Sequence, residues 1–122
     1  MSKKVALIGW NPKVVDYRKW PDLTAEKLSA ALEAEKNKLN GLGYETSWLF
    51  IDAAETAFND VKVALTQNNF DCVLIGAGVR KVDEHFIVFE QLINAIHEFA
   101  PNAKICFNTN PNDTAEAVQR WA

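Results

Sequence analysis

The sequence predicts a three-layer α/β/α sandwich built on a four-stranded parallel sheet in the order 2-1-3-4. Three observations carry this. Four short apolar runs alternate with four segments of helical period, which is the pattern of βα units. The first and third runs, Lys4-Val5-Ala6-Leu7-Ile8-Gly9 and Phe70 to Gly76, are nearly continuous, as expected of strands covered on both faces. All five glycines (9, 41, 43, 76, 78) and all four prolines (12, 21, 101, 111) fall at or between element ends. Right-handed crossovers leave few topologies for four such units. The order 2-1-3-4 puts the most apolar strands in or near the middle. It also places the first and fourth helices on one face and the second and third on the other.

The first strand is Lys4 to Gly9. A helix over Thr24 to Asn40 follows, with Leu28, Leu32, Glu35, Leu39 and Leu42 at inward spacing and Glu33, Lys36 and Lys38 outside; Gly41 and Gly43 stop it. The second strand, Glu45 to Asp52, alternates polar and apolar residues and suits an edge. The second helix carries Ala57, Phe58, Val61, Ala64 and Leu65 on one stripe and ends at Asn68-Asn69. After the third strand, a helix over Val82 to Phe99 places Phe86, Phe89, Ile93 and Ile96 on one side, with Val88, Leu92 and Ala95 beside them. Pro101 follows its end. The fourth strand is Ala103 to Asn108. In the last helix Asp113 and Glu116 have the spacing of a capping box, and Ala117, Val118 and Trp121 form the apolar side.

At 122 residues the chain makes one domain, 1–122, against a prior of roughly 150 residues each. Hydrophobic residues are 48% and charged ones 24%, an ordinary globular balance that excludes a disordered or collagen-like chain. The net charge of −3 lacks the positive field that concentrates nucleic acid, so no nucleic-acid partner is expected. No apolar run approaches the roughly 18 residues of a membrane span, and Val5 to Ile8 is too short for a secretory signal core. The expectation is a cytoplasmic protein with no membrane partner. Cys72 and Cys106 lie in apolar stretches and read as buried, reduced thiols; no Cys-x-x-Cys pair offers a zinc or redox site.

Around the third strand the text Gly43-Tyr44-Glu45, then Asn68-Asn69-Phe70-Asp71-Cys72-Val73-Leu74-Ile75-Gly76, resembles the middle of a response-regulator receiver domain, a flavodoxin-like (Rossmann-like) fold. Asp71, Val73 and Leu74 match, and roughly residues 43 to 110 take part. The resemblance implies the same sheet and a degenerate receiver. Gly76 stands at the phosphoacceptor position, Gly9-Trp10 replace the acidic pair that would hold magnesium, and Thr109 represents the hydroxyl residue after the fourth strand. The family's fifth strand and its lysine have no counterpart. Without those carboxylates there is nothing to coordinate magnesium or accept a phosphoryl group.

In open α/β sheets ligands bind beyond the carboxyl ends of the strands where strand order reverses, here between strands one and three. The candidate ligand-binding residues on those loops are Trp10, Asn11, Tyr17, Arg18, Gly76, Gly78, Arg80, Asn108 and Asn110. Gly76-Ala77-Gly78 with Arg80 could cradle an anion, although strand-to-helix turns use glycine for positive φ in any case. The long stretch Trp10 to Asp22, with Tyr17, Arg18, Lys19 and Trp20, reads equally as a lid over a planar anion or as a cap on the sheet. His85 is the only candidate general base near the crevice, with a structural or exposed role as its alternative; His85 and His97 lie about 120° apart on one helix and cannot share a metal. No nucleophile elbow, metal set, catalytic pair or cofactor is assigned, and catalysis is left open. The expected function is a non-catalytic small-ligand or anion-binding module. The alternative is a receiver-like interaction module without phosphorylation, acting as a homodimer or with a protein partner through the bare edge Lys104-Ile105-Cys106-Phe107.

Overall fold

The computed structural model describes residues 2–122 and contains one sheet of four parallel strands in the order β2-β1-β3-β4. The strands are β1 (Lys4–Trp10), β2 (Glu45–Ile51), β3 (Cys72–Ile75) and β4 (Lys104–Phe107). β1 pairs with β2 from Lys4↔Glu45 to Trp10↔Ile51 and with β3 from Val5↔Cys72 to Ile8↔Ile75; Cys72↔Lys104 to Ile75↔Phe107 joins β3 to β4. The two strands with continuous apolar text are the central ones, and Val5 to Ile8 and Cys72 to Ile75 are buried on both faces. The predicted α/β/α sandwich and strand order are the observed ones.

The helices are α1 (Ala25–Gly41), α2 (Ala54–Gln67), α3 (Ala77–Arg80), α4 (Phe86–Phe99) and α5 (Thr114–Trp121). Strand alternation sends Ala6, Ile8, Val73 and Ile75 to one face, where Ala57, Val61 and Leu65 of α2 and Val88, Leu92 and Ile96 of α4 meet them. Val5, Leu7, Cys72, Leu74 and Cys106 take the other face with Leu39 of α1 and Ala115, Ala117 and Val118 of α5. The first and last helices thus share a face, as expected.

Four expectations are corrected. The helix expected over Val82 to Phe99 is preceded by the separate turn α3 and by a 3-10 turn, Asp83–His85, so α4 proper starts at Phe86. Phe86, expected on its core stripe, is 63% exposed, because the core-facing arc centres on Val88, Leu92, Ala95 and Ile96. Leu42 and Trp121 are exposed too. The cap before α5 lies three residues earlier than expected: Asn110 and Asp113 form the capping box on the 3-10 turn Pro111–Asp113, with Pro111 just inside it. Among the described residues only Gly43 has positive φ, at 99°, where α1 ends with the Tyr44 N–H bonding to the Leu39 carbonyl.

Cys72 and Cys106 are both buried and free, with sulfurs 3.5 Å apart under α5. The hydrogen bond with Cys72 and then burial push the Cys106 thiol up. With both side chains at most 1% exposed, native protein is expected to release chromophore from Ellman's reagent only slowly, through opening, while guanidinium-unfolded protein titrates both thiols at once. Rapid labelling of the native chain would contradict this packing.

Among the described residues no helix is long and apolar enough to cross a membrane.

Candidate functional site

α3 packs against β1 beyond the strand ends, over the position between β1 and β3 where a crevice is predicted. Gly76 precedes α3 in extended conformation, φ −69° and ψ 156°, so this glycine does not serve the positive φ expected of a strand-to-helix turn. Its role is close approach. The Gly76 N–H donates to the Ile8 carbonyl at 2.9 Å, and a Cβ on Gly76 would lie 3.2 Å from that oxygen. Gly78 sits inside α3, where an added Cβ would be 3.9 Å from Trp10 Cδ1, so Trp10 and Gly78 are neighbours.

Asn108 is 4% exposed at the end of β4 and joins two elements. Its Oδ1 accepts from the Ala77 N–H at 2.8 Å and its Nδ2 donates to Thr114 Oγ1 at 3.0 Å. The buried amide therefore holds the starts of α3 and α5 together. Asn110 Oδ1 accepts from the Asn112 N–H, while the Asp113 carboxylate receives the Thr109 and Asn110 N–H groups and the Thr109 hydroxyl. Burial pushes the Asp113 carboxyl up, but the Thr109 side-chain bond and the backbone bonds together outweigh it and hold the group below the usual range. Lys81 Nζ donates to the Thr109 carbonyl at 2.6 Å. The peptide N–H groups expected to cradle an anion at Gly76-Ala77 already have internal acceptors.

Two donors do not. Trp10 Nε1 and Arg80 Nη2 are buried at the strand ends without a hydrogen-bond partner; among the described residues the one other such atom is Thr46 Oγ1, near the start of β2 at the opposite end of the sheet. Arg80 is held by its Nε, which donates to the Ile75 carbonyl at 3.1 Å, and by its guanidinium carbon, 5.0 Å from the centroid of the Phe107 ring. Burial lowers its pKa and Asp113 opposes that. Trp10 packs against His85, ring centroids 4.6 Å apart and tilted by 46°.

Burial depresses the pKa of His85, Glu84 opposes that, and Lys19 adds to it. A histidine whose folded pKa lies below its unfolded value near 6.5 binds its proton less readily when folded. Its contribution is absent above about pH 7, and stability falls as pH drops below roughly 6.5. Between about pH 7 and pH 5 the melting temperature of wild type is therefore expected to fall further than that of His85→Gln. Parallel declines would mean that His85 is unshifted.

The first loop folds upon itself. Asn11 Oδ1 and Asp16 Oδ1 cap the two 3-10 turns Pro12–Val14 and Tyr17–Lys19, and the Tyr17 hydroxyl donates to the Pro12 carbonyl. Asn11 Nδ2 donates to Asp52 Oδ1 at 3.0 Å. Arg18, with 91% of its side chain exposed, forms a paired contact with Asp16 through Nε and Nη2. Lys19 reaches Glu84 at 2.7 Å and ties this loop to the turn before α4, beside an open depression of about 310 Å³ that Trp20 and Lys81 also line.

Of the nine candidate residues, then, Trp10, Gly76, Gly78, Arg80 and Asn108 gather at the strand ends. Arg18 points to solvent, Tyr17 and Asn11 brace the loop, and Asn110 is a cap. Phe107, which carries the Arg80 guanidinium, and Thr114, which completes the Asn108 bridge, were absent from the candidates; alternation along β4 could have placed Phe107 on the α4 face, but nothing local marks Thr114. Among the described residues no group of three or more His, Cys, Asp or Glu could hold a metal ion. The chain matches no protein-family model, and no curated protein is significantly similar to it in sequence.

Proposed function

We propose that the chain is a non-catalytic module that binds a small anionic ligand in the crevice beyond the ends of β1 and β3. The observation that carries this reading is the pair of buried donors without acceptors, Trp10 Nε1 and Arg80 Nη2. An unmade hydrogen bond on a buried polar group costs about 1–3 kcal/mol, more for a charged one, and an anionic oxygen would remove that cost. Asn108 and Gly76 then act by fixing α3, and His85, packed at a tilt against it, holds the Trp10 ring. The receiver resemblance fits a module of this kind, since neither Gly9-Trp10 nor Gly76 supplies a carboxylate for phosphotransfer.

The test is a thermal-shift titration of wild type and Arg80→Met with inorganic phosphate, nucleotides and flavins. A ligand at 100 times its Kd stabilises by about 2.7 kcal/mol. Wild type is expected to shift upward with at least one anion and Arg80→Met with none. The unliganded variant loses the Nε bond to the Ile75 carbonyl and the contact with Phe107 together with the unpaired N–H, so its stability should lie within about 1 kcal/mol of wild type. An anion that shifts both proteins equally, or none that shifts wild type, would overturn the reading.

A second reading is a receiver-like interaction module acting as a homodimer. It is favoured by the exposure of Phe86 (63%) and Ile87 (57%) near the β4 edge, where Phe107 packs edge-on against Phe89 at 5.9 Å. Sedimentation at micromolar concentration is expected to give a dimer that Phe86→Asp converts to monomer; a monomeric wild type removes this reading.

A further inference from the structure

We propose that the groove between the β2 edge and the N-terminal half of α1 takes an extended basic peptide segment of another protein, which adds as a strand beside β2. This surface is independent of the crevice. The Glu45 N–H donates to the Lys3 carbonyl and the Ile51 carbonyl accepts from Asn11, both at 2.9 Å, so the odd-numbered residues of β2 turn their peptide groups to β1. Alternation then directs those of Thr46, Trp48 and Phe50 outward. Asn40 Oδ1 already receives the Thr46 N–H at 3.0 Å, whereas the N–H and C=O groups of Trp48 and Phe50 stand at the open edge. β4 offers less. Lys104 bonds to β3, which leaves Ile105 and Phe107 facing outward, and Arg120 Nη2 covers the Phe107 carbonyl at 3.1 Å.

The side chains at the same two β2 positions form a platform. Trp48 and Phe50 stack with centroids 5.3 Å apart and planes 5° from parallel. Trp48 is fixed by its Nε1–H donating to the Leu32 carbonyl at 3.1 Å, and it lies over Gly9, where a Cβ would come within 3.3 Å of its ring. Phe50 remains 40% exposed, and the groove of about 520 Å³ beside it runs along Pro12, Ala25 and Ser29. Main-chain pairing at an open edge with an apolar floor for alternate side chains is the geometry of strand addition.

Charge selects the occupant. Glu26 and Glu33 line the groove with Lys13 as the lone cation, and Glu45 and Asp52 bracket the strand. A second copy paired antiparallel through the same edge would bring Glu45 of each chain toward Asp52 of the other, and like charges placed opposite each other destabilise a sheet. A segment with alternating apolar residues and flanking lysines or arginines meets the same carboxylates favourably.

The test uses the full chain labelled with nitrogen-15 and three synthetic peptides. One has a valine–threonine alternation with paired lysines at both ends, the second has the same sequence N-methylated at alternate amides, and the third has glutamates in place of the lysines. Saturable shifts at the Trp48 and Phe50 amides and the Trp48 indole are expected with the first peptide only. The double variant Glu26→Lys, Glu33→Lys should weaken that binding about tenfold, the equivalent of roughly 1.4 kcal/mol, while its spectrum elsewhere shows a folded chain. Absence of these shifts, equal binding of either control peptide, shifts confined to Lys104–Phe107, or a dimer that protects the Trp48 and Phe50 amides would each overturn the proposal.

Discussion

Asn108→Ala is expected to lower the unfolding free energy by about 3 kcal/mol, more than a typical cap substitution, because one side chain serves two helix starts. Removing the amide leaves the Ala77 N–H without its 2.8 Å acceptor and Thr114 Oγ1 without its 3.0 Å donor, at a position 4% exposed where water has little access. Thr114 keeps its own bond to the Pro111 carbonyl, so α5 loses one partner while α3, only four residues long, loses its anchor. Urea unfolding with an unchanged m-value measures the loss. Asn108→Asp keeps an acceptor for Ala77 and should cost less than alanine. If both variants unfold as wild type does, Asn108 does not hold α3 in place. The crevice should suffer with it, since Arg80 ends α3 and Gly78 lies within it: any anion response in wild type should weaken in Asn108→Ala.

The difference between what was legible and what was not follows the range of the interactions. β1 and β3 could be read because burial on both faces writes itself into consecutive residues, Val5 to Ile8 and Cys72 to Ile75. The strand order followed from that difference in burial, since β2 has exposed Glu45, Ser47 and Phe50 while β1 has none that are exposed. Helix periodicity located the stripes but not their width. In α4 the apolar text runs almost all the way round, so Phe86 and Ile87 could not be told from the buried Val88. The cap before α5 had two overlapping registers, Asn110 with Asp113 and Asp113 with Glu116, and Pro111 at the first helical position was the sign that favoured the earlier one.

The candidate site shows the same limit. That Trp10, Gly76, Gly78, Arg80 and Asn108 gather at one end of the sheet follows from topology alone. What each does there depends on contacts across long sequence separations, such as Asn108 with Ala77, 31 residues away. Arg18 and Arg80 are alike as text, both basic residues after a strand end. One is neutralised by Asp16 two positions before it, which sequence could have suggested; the other is drawn over Phe107, which it could not. The positive φ expected of the Gly76–Gly78 turn is absent because that turn closes through the Ile8 carbonyl and the Asn108 amide instead.

Leu74→Ala should cost about 3 kcal/mol, within the range for a fully buried leucine whose surroundings relax little. Leu74 is fully buried in the middle of β3, paired with Leu7 on one side and Cys106 on the other, and faces the layer made by α1 and α5. The sheet cannot close the space without breaking its register, and α5 already meets it through the small side chains of Ala115 and Ala117. Leu42→Ala is the control. It was expected on the α1 stripe but is half exposed, and its truncation should cost about 0.5 kcal/mol or less. The two thiols give a second, independent reading of the same loss. Cys72 and Cys106 belong to the Leu74 layer and are shielded only while that layer stays closed. If labelling requires global opening and opening is fast relative to labelling, a loss of about 3 kcal/mol raises the population of the open form, and so the Ellman rate, by roughly 150-fold. A rate that rises far less than the equilibrium loss requires would mean that the thiols become accessible through a local opening near β4 that leaves the Leu74 layer intact.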